Sequence, residues 1–201
     1  MIKPRLPDRG FFSWSIFHIP ANIKLIHFHA YELSFQFCCY QIMRTIRKIH
    51  RATYRPIADL TTWSPLPTES LHQVDPFLFL NHHGLQQYES NNNGLPFGPH
   101  PHRGIETVTF IIEGDIVHKD SGGYESTINK GGVQWMTAGS GLIHAETSSE
   151  QFKKDGGDLE ILQLWLNLPA NLKKAEPDYR GLQQNEIPDF SAGNGKIMVN
   201  L

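Results

Sequence analysis

The sequence predicts an all-β protein, a sandwich or barrel, on the strength of three observations. From Gly94 onward, turn signals recur at close to regular intervals: SGG at 121–123, KGG at 130–132, GSG at 139–141 and KKDGGD at 153–158. The runs between them are short and β-type, as in ETVTFIIEG with its β-branched residues. That pattern belongs to antiparallel sheets folded into a sandwich or barrel. Polar residues of metal-ligand type also come in pairs at i and i+2: His100 with His102, and His144 with Glu146. Side chains at that spacing share one face of a strand. Two such strands inside one barrel would bring three imidazoles and a carboxylate together.

Size and charge narrow the class further. A chain of 201 residues fits one domain, or one domain with additions, and is long enough to bury a core. The net charge of -2 and the pI of about 6.6 provide no general basic field for nucleic acid. No stretch reads as long and apolar enough to span a membrane. Cys38 and Cys39 are the only cysteines and are adjacent. Sequence neighbours rarely form a strain-free disulfide, so no disulfide framework exists. A reducing compartment follows, with a cytoplasmic location expected, or a nuclear one in a eukaryote.

Residues 1–42 do not resemble the rest. Aromatics such as Phe11, Phe12, Trp14 and Phe17 crowd there without a clean period, and Lys24, His27 and His29 interrupt any secretory apolar core. The segment reads as an atypical extension, disordered or a product of start-site choice, because Met43 opens an ordinary protein start. Arg44, Arg47, Lys48, Arg51 and Arg55 then form a short basic run, read as a solvated strand or helix face. TTWSPLPTES at 61–70 reads as loop from its prolines and hydroxyls. Phe77 to Leu80 reads as a buried strand stopped by Asn81 and Gly84. His82 and His83 would sit at its end, and as neighbours in a strand they point opposite ways.

Strands follow at ETVTFIIEG, DIVHKD, YESTIN, VQWMTA, LIHAETSSE and LEILQLWLNLP. Residues 170–185 read as polar, with room for one helical turn. KIMVNL begins another apolar strand at the C-terminus, which reads as unfinished and so as truncation.

Neutral imidazoles plus one carboxylate suit Fe, Mn, Ni, Cu or Zn, whereas Ca and Mg prefer oxygen donors. Pro99 and Pro101 flank the first two histidines and remove ladder donors, which fits a strand entrance better than an interior strand. Spacing leaves the carboxylate open. Glu106 lies four residues after His102 and Glu146 two after His144, while Gly104 permits a bend that would shift parity. Gln134, Trp135 and Met136 lie near the second pair, as pocket lining or as core.

HPHRGIETVTFIIEG, then DSGG, GGVQWMTAGSGLIHAE and LQLWLNLP, resemble the pirin family of the cupin superfamily. The first cupin motif, G-x5-H-x-H-x3/4-E-x6-G, is followed from Gly94 through Glu106, with seven residues rather than six before Gly114. The second, P-x-G-x2-H, is met with Gly139 in place of proline, then Gly141 and His144. The resemblance implies a cupin double-stranded β-helix, or jelly-roll, barrel. It implies a pirin N-terminal cupin domain over 43–185 and the beginning of a second cupin barrel over 186–201, most of that barrel being missing.

Carried over residue by residue, the resemblance makes His100, His102, His144 and Glu146 the ligands of one divalent transition metal. Iron(II) is the commonest in the family, with Cu, Mn, Ni, Co and Zn as other fits. It leaves Glu106 out of the ligand set. It further implies a metal-dependent dioxygenase that acts on a flavonol such as quercetin together with dioxygen, with Glu146 as the catalytic base. The alternative it carries is a metal- or redox-sensing regulatory protein working through a protein partner, with no direct nucleic-acid contact and no membrane.

Overall fold

The structure, a computed structural model, describes residues 46–200. The aromatic stretch at 1–42, with His27, His29 and the cysteine pair, lies outside the described residues. In chain order the elements are β1 (Thr53–Tyr54), β2 (Thr62–Leu66), β3 (Phe77–Tyr88), β4 (Phe97–His102), β5 (Ile105–Glu113), β6 (Asp115–Asp120) and β7 (Glu125–Asn129). There follow β8 (Val133–Thr137), β9 (Leu142–Thr147), α1 (Glu150–Asp155), β10 (Gly157–Asn167), β11 (Asp178–Leu182), β12 (Asp189–Ala192) and β13 (Ile197–Asn200). No helix among the described residues is long and apolar enough to cross a membrane.

Seven strands form one sheet in the order β1-β2-β3-β10-β5-β8-β11, and four form a second in the order β4-β9-β6-β7. β12 and β13 pair only with each other. The central pairs are antiparallel, β10 lying between β3 and β5. The sheets face one another. Ile111, Leu159 and Ile161 of the larger sheet pack with Ile116 and Ile128 of the smaller one. Phe152 of α1 joins the same cluster and helps close that end. Ser149 starts this helix by accepting the Phe152 N–H on its hydroxyl at 3.0 Å.

Period-2 alternation decides which side chains enter the barrel. On β5, Thr107, Thr109 and Ile111 are buried while Phe110 and Ile112 are exposed. On β8, Gln134 and Met136 are buried and Trp135, between them, is 46% exposed. Met136 therefore belongs to the core, Gln134 to the interior, and Trp135 to the outer face.

Several local expectations are corrected. The stretch read as loop at 61–70 contains β2. Its Pro65 falls in the register shift between Trp63 and Leu66, where no ladder donor is required. β3 does not stop at Asn81 and Gly84 but runs on to Tyr88. Gly84 sits in a bulge opposite the Leu159–Ile161 shift at φ +97, where a Cβ would lie 2.2 Å from the Leu159 carbonyl oxygen. The helix in this part of the chain is α1, within residues read as strand and turn. Residues 170–185 hold β11, with a single 3-10 turn at Gln184–Glu186 overlapping their end. β11 is polar because Asp178 and Arg180 are exposed, while Tyr179 is buried. Arg44 of the basic run lies outside the described residues; from Ile46 to Ala52 there is no regular structure, and Arg47, Lys48 and Arg51 are exposed.

Candidate metal centre

The two ligand-type pairs lie on neighbouring strands. β4 pairs with β9 so that His100 stands directly opposite His144. β4 is the edge of its sheet, so the prolines flanking His100 disturb a ladder on one side only. One ring nitrogen from each of His100, His102 and His144 lies within 4.8 Å of the others. His102 and His144 are buried and His100 is half-buried.

Hydrogen bonds orient two of these rings. The Nδ1 of His100 lies 2.8 Å from the Gly98 carbonyl oxygen. A carbonyl only accepts, so that nitrogen carries the hydrogen and Nε2 is left with a lone pair. This Nε2 faces the Nε2 of His144 at 3.1 Å. Two nitrogens bound to one transition metal at about 2.0–2.1 Å, at right angles, stand about 3 Å apart. The spacing and donor set fit such an ion.

Electrostatics favour the same role. Burial, then the neighbouring His100, lowers the His102 pKa to about 4. Burial, then His100, His102 and His118, lowers that of His144 to about 3. Neutral imidazoles are the form that ligates a metal. Glu146 is buried, and loss of solvent pushes its pKa up against the pull of its hydrogen bonds and of His100. Its Oε2 lies 3.8 Å from the Nε2 of His144. Burial favours the neutral form of each group across this contact.

Glu146 is held by two amides and a hydroxyl from the opposite sheet. Gln163 donates to Oε2 at 2.8 Å, Thr109 donates to Oε1 at 3.4 Å, and Gln134 donates to Oε1 as well. The carboxylate flanks the three imidazoles without belonging to the mutually close nitrogen group.

Glu106 is elsewhere. The chain leaves β4 through Gly104 at φ +68 and enters the other sheet, so parity cannot be counted from His102. Glu106 accepts a hydrogen bond from Thr137 at 2.8 Å and lines an outer groove of about 380 Å³ with Trp135 and Arg180. His82 and His83 lie within β3 rather than at its end. His82 meets Glu160 at 2.7 Å, and the buried His83 meets the Thr62 hydroxyl at 2.9 Å.

An open cleft of about 560 Å³ reaches His100 and His102, with Pro67, Leu78, Phe79 and Trp165 among its walls. The rings of Phe79 and Trp165 stack with centroids 4.4 Å apart. Behind His144 stands His118, whose Nδ1 is 3.4 Å from the Nδ1 of His144 and whose Nε2 is 2.8 Å from Asp120. Reading DIVHKD only as a strand misses this pair, although its i, i+2 spacing was visible. Gln163, a lone amide in an apolar run, was a second available signal.

The two facing sheets and the histidine cluster on their inner wall define a cupin barrel. Residues 59–166 match the family model described as Pirin. The chain belongs to the pirin family. It is 41% identical over 136 residues to a pirin-like protein of Caulobacter vibrioides, covering 68% of this chain and 47% of that protein. It is 41% identical over 133 residues to a Pseudomonas aeruginosa protein named as a candidate quercetin 2,3-dioxygenase, covering 66% of this chain and 45% of the relative. The chain thus spans less than half the length of these curated relatives.

Among solved structures, it is similar to a quercetin 2,3-dioxygenase from Acinetobacter baumannii, with a TM-score of 0.63 and 36% identity over 71% of this chain and 50% of the other. The bacterial pirin YhhW from Escherichia coli, solved in complex with nickel(II), shares the fold at a TM-score of 0.53 and 24% identity, over 65% of this chain and 53% of that one.

Proposed function

We propose that His100, His102 and His144, with Glu146 as fourth donor, hold one divalent transition metal, iron(II) foremost, and that the protein opens the ring of flavonols such as quercetin with dioxygen. The observation that carries the reading is the 3.1 Å approach of the His100 and His144 Nε2 atoms, beside a third buried imidazole. Two lone pairs facing each other repel unless a cation or a proton lies between them. The one hydrogen of a neutral His144 cannot serve both this contact and the one to the Nδ1 of His118 on its other side, whereas a cation between the two Nε2 atoms leaves it free for His118.

A metal held there supplies a Lewis acid that lowers the pKa of a hydroxyl brought to it. Glu146 takes the proton of the flavonol 3-hydroxyl. It stands beside the three imidazoles, its Oε2 3.8 Å from the Nε2 of His144. Gln163 and Gln134 hold the carboxylate in place before and after that transfer. Phe79, Trp165, Leu78 and Pro67 give the cleft flat apolar walls that suit an aromatic ring system and displace water from the face of His102. Relatives named for quercetin 2,3-dioxygenase support the substrate class. The reading takes 43–185 as the metal-carrying domain and places it in the cytoplasm.

The test is elemental analysis of protein purified without added metal, then anaerobic loading with Fe(II), Mn(II), Ni(II) or Cu(II) and a quercetin turnover assay. One metal per chain and release of carbon monoxide are expected. Bound metal without turnover overturns the activity alone; failure to take up any of these metals overturns both.

A further inference from the structure

The hydrogen-bond chain behind His144 assigns every hydrogen in it. The Oδ1 of Asp120 accepts the backbone N–H of Gly122 at 2.8 Å and of Tyr124 at 3.1 Å. Its Oδ2 is 2.8 Å from the Nε2 of His118. A carboxylate used as acceptor on both oxygens requires the hydrogen on that Nε2. A neutral imidazole has one such hydrogen, so the Nδ1 of His118 presents a lone pair. It faces the Nδ1 of His144 at 3.4 Å, a contact that is favourable when His144 carries its hydrogen there. The Nε2 of His144 is then the bare nitrogen, and it is the one aimed at His100.

Packing prevents the chain from rearranging. His118 and His144 are 0% and 1% exposed, so water cannot replace a lost partner. The Tyr179 ring stacks on His118 with centroids 3.9 Å apart and planes within 13°. The Tyr179 hydroxyl is fixed in turn, 2.6 Å from the Ser126 hydroxyl and 3.3 Å from the Gln134 amide oxygen. Gln134 also donates to Glu146, so the supports of His144 and of Glu146 meet at one tyrosine.

We infer that Asp120 and His118 are positioning residues that fix the tautomer of His144, leaving its Nε2 lone pair directed at the ligand cluster. The inference rests on the reading of His100, His102 and His144 as metal ligands. Neither residue reaches the cluster directly; each acts through His144.

Asp120→Asn tests it with a defined sign. The Gly122 and Tyr124 N–H groups still demand an oxygen, so the Asn amide must turn its NH2 towards His118. His118 then accepts at Nε2 and donates from Nδ1, His144 accepts at Nδ1, and its own hydrogen moves to Nε2, where it blocks ligation. His118→Phe keeps a stacking ring but removes the relay, leaving the His144 tautomer free.

Two readouts are taken. Histidine 15N NMR of the metal-free full chain reports which His144 nitrogen is protonated. Chelator competition reports nickel(II) affinity. Wild type is expected to be protonated at Nδ1 and Asp120→Asn at Nε2, with affinity about 10–100-fold weaker. His118→Phe is expected to lose less than Asp120→Asn, the reverse of what a packing role alone gives. Wild-type His144 protonated at Nε2, or Asp120→Asn with unchanged tautomer and affinity, overturns the inference. Failure of the wild type to bind nickel(II), with the His144 tautomer as stated, overturns the metal reading instead and leaves the relay standing.

Discussion

At one end of the barrel Ile111, Leu159 and Ile161 lie under Phe152; a few residues along the same strands, Thr109 and Gln163 reach Glu146. Leu159, Ile161 and Glu146 are alike in burial, none more than 1% exposed. They differ in what burial demands. The apolar residues need only contact, whereas the carboxylate would be strongly destabilising without donors and receives them from Gln163, Gln134 and Thr109. Apolar packing therefore fills the closed end and paired polar groups the open end, although β5 and β10 carry both. Degree of burial does not separate the two regions; hydrogen-bond pairing does.

Substitutions in each end test that division. The largest effect is expected from Leu159→Ala, which should lower unfolding free energy by about 2–5 kcal/mol in denaturant titration. Metal affinity of the folded fraction should stay unchanged, and a large drop in it would show the ends to be coupled. His144→Ala should weaken metal binding more than 100-fold, about 2.7 kcal/mol, beyond the usual cost of losing an outer partner. Thermal unfolding of the metal-free protein should move far less than for Leu159→Ala.

Acid sharpens the comparison from the side of His83, buried between the regions. Its pKa falls from 6.5 to about 4, through burial first and His82 second. Below 6.5 the unfolded chain then binds the extra proton, so stability is full above that pH and declines as pH falls towards 4. On going from about pH 6.5 to about pH 5 this histidine should account for about 1–2 kcal/mol of the loss. Urea titrations at both values should show His83→Gln losing that much less than wild type; equal losses would contradict it.

The smallest effect is expected from Glu106→Gln on the outer face. Its stability change should stay within about 0.5 kcal/mol, with metal affinity unaltered. Glu146→Gln should weaken metal binding, and the reverse result for the pair would transfer the fourth ligand to Glu106.

The sequence made the barrel strands from Ile105 to Asn167 legible because turn glycines punctuate β-branched runs there. It made the H-x-H and H-x-E pairs legible because strand spacing depends only on parity. Parity fails across a crossover, and so spacing alone could not choose between Glu106 and Glu146. β2 was hidden by Pro65, whose missing donor matters only if its register is known. β11 was hidden because a single buried residue, Tyr179, leaves no alternation to detect. The His118–Asp120 pair was printed in the sequence, but its place behind His144 depends on β6 pairing with β9 so that Asp120 stands opposite His144, a register that only the folded sheet shows.

Pro99 and Pro101 have a consequence beyond framing His100. β4 is a sheet edge, and an edge rich in free N–H groups is a template on which a foreign strand can add. Two of the six residues of this strand lack that group. The histidine-bearing edge is thus a poor seed for intermolecular cross-β growth, and the strand can stay open to a cleft without inviting aggregation.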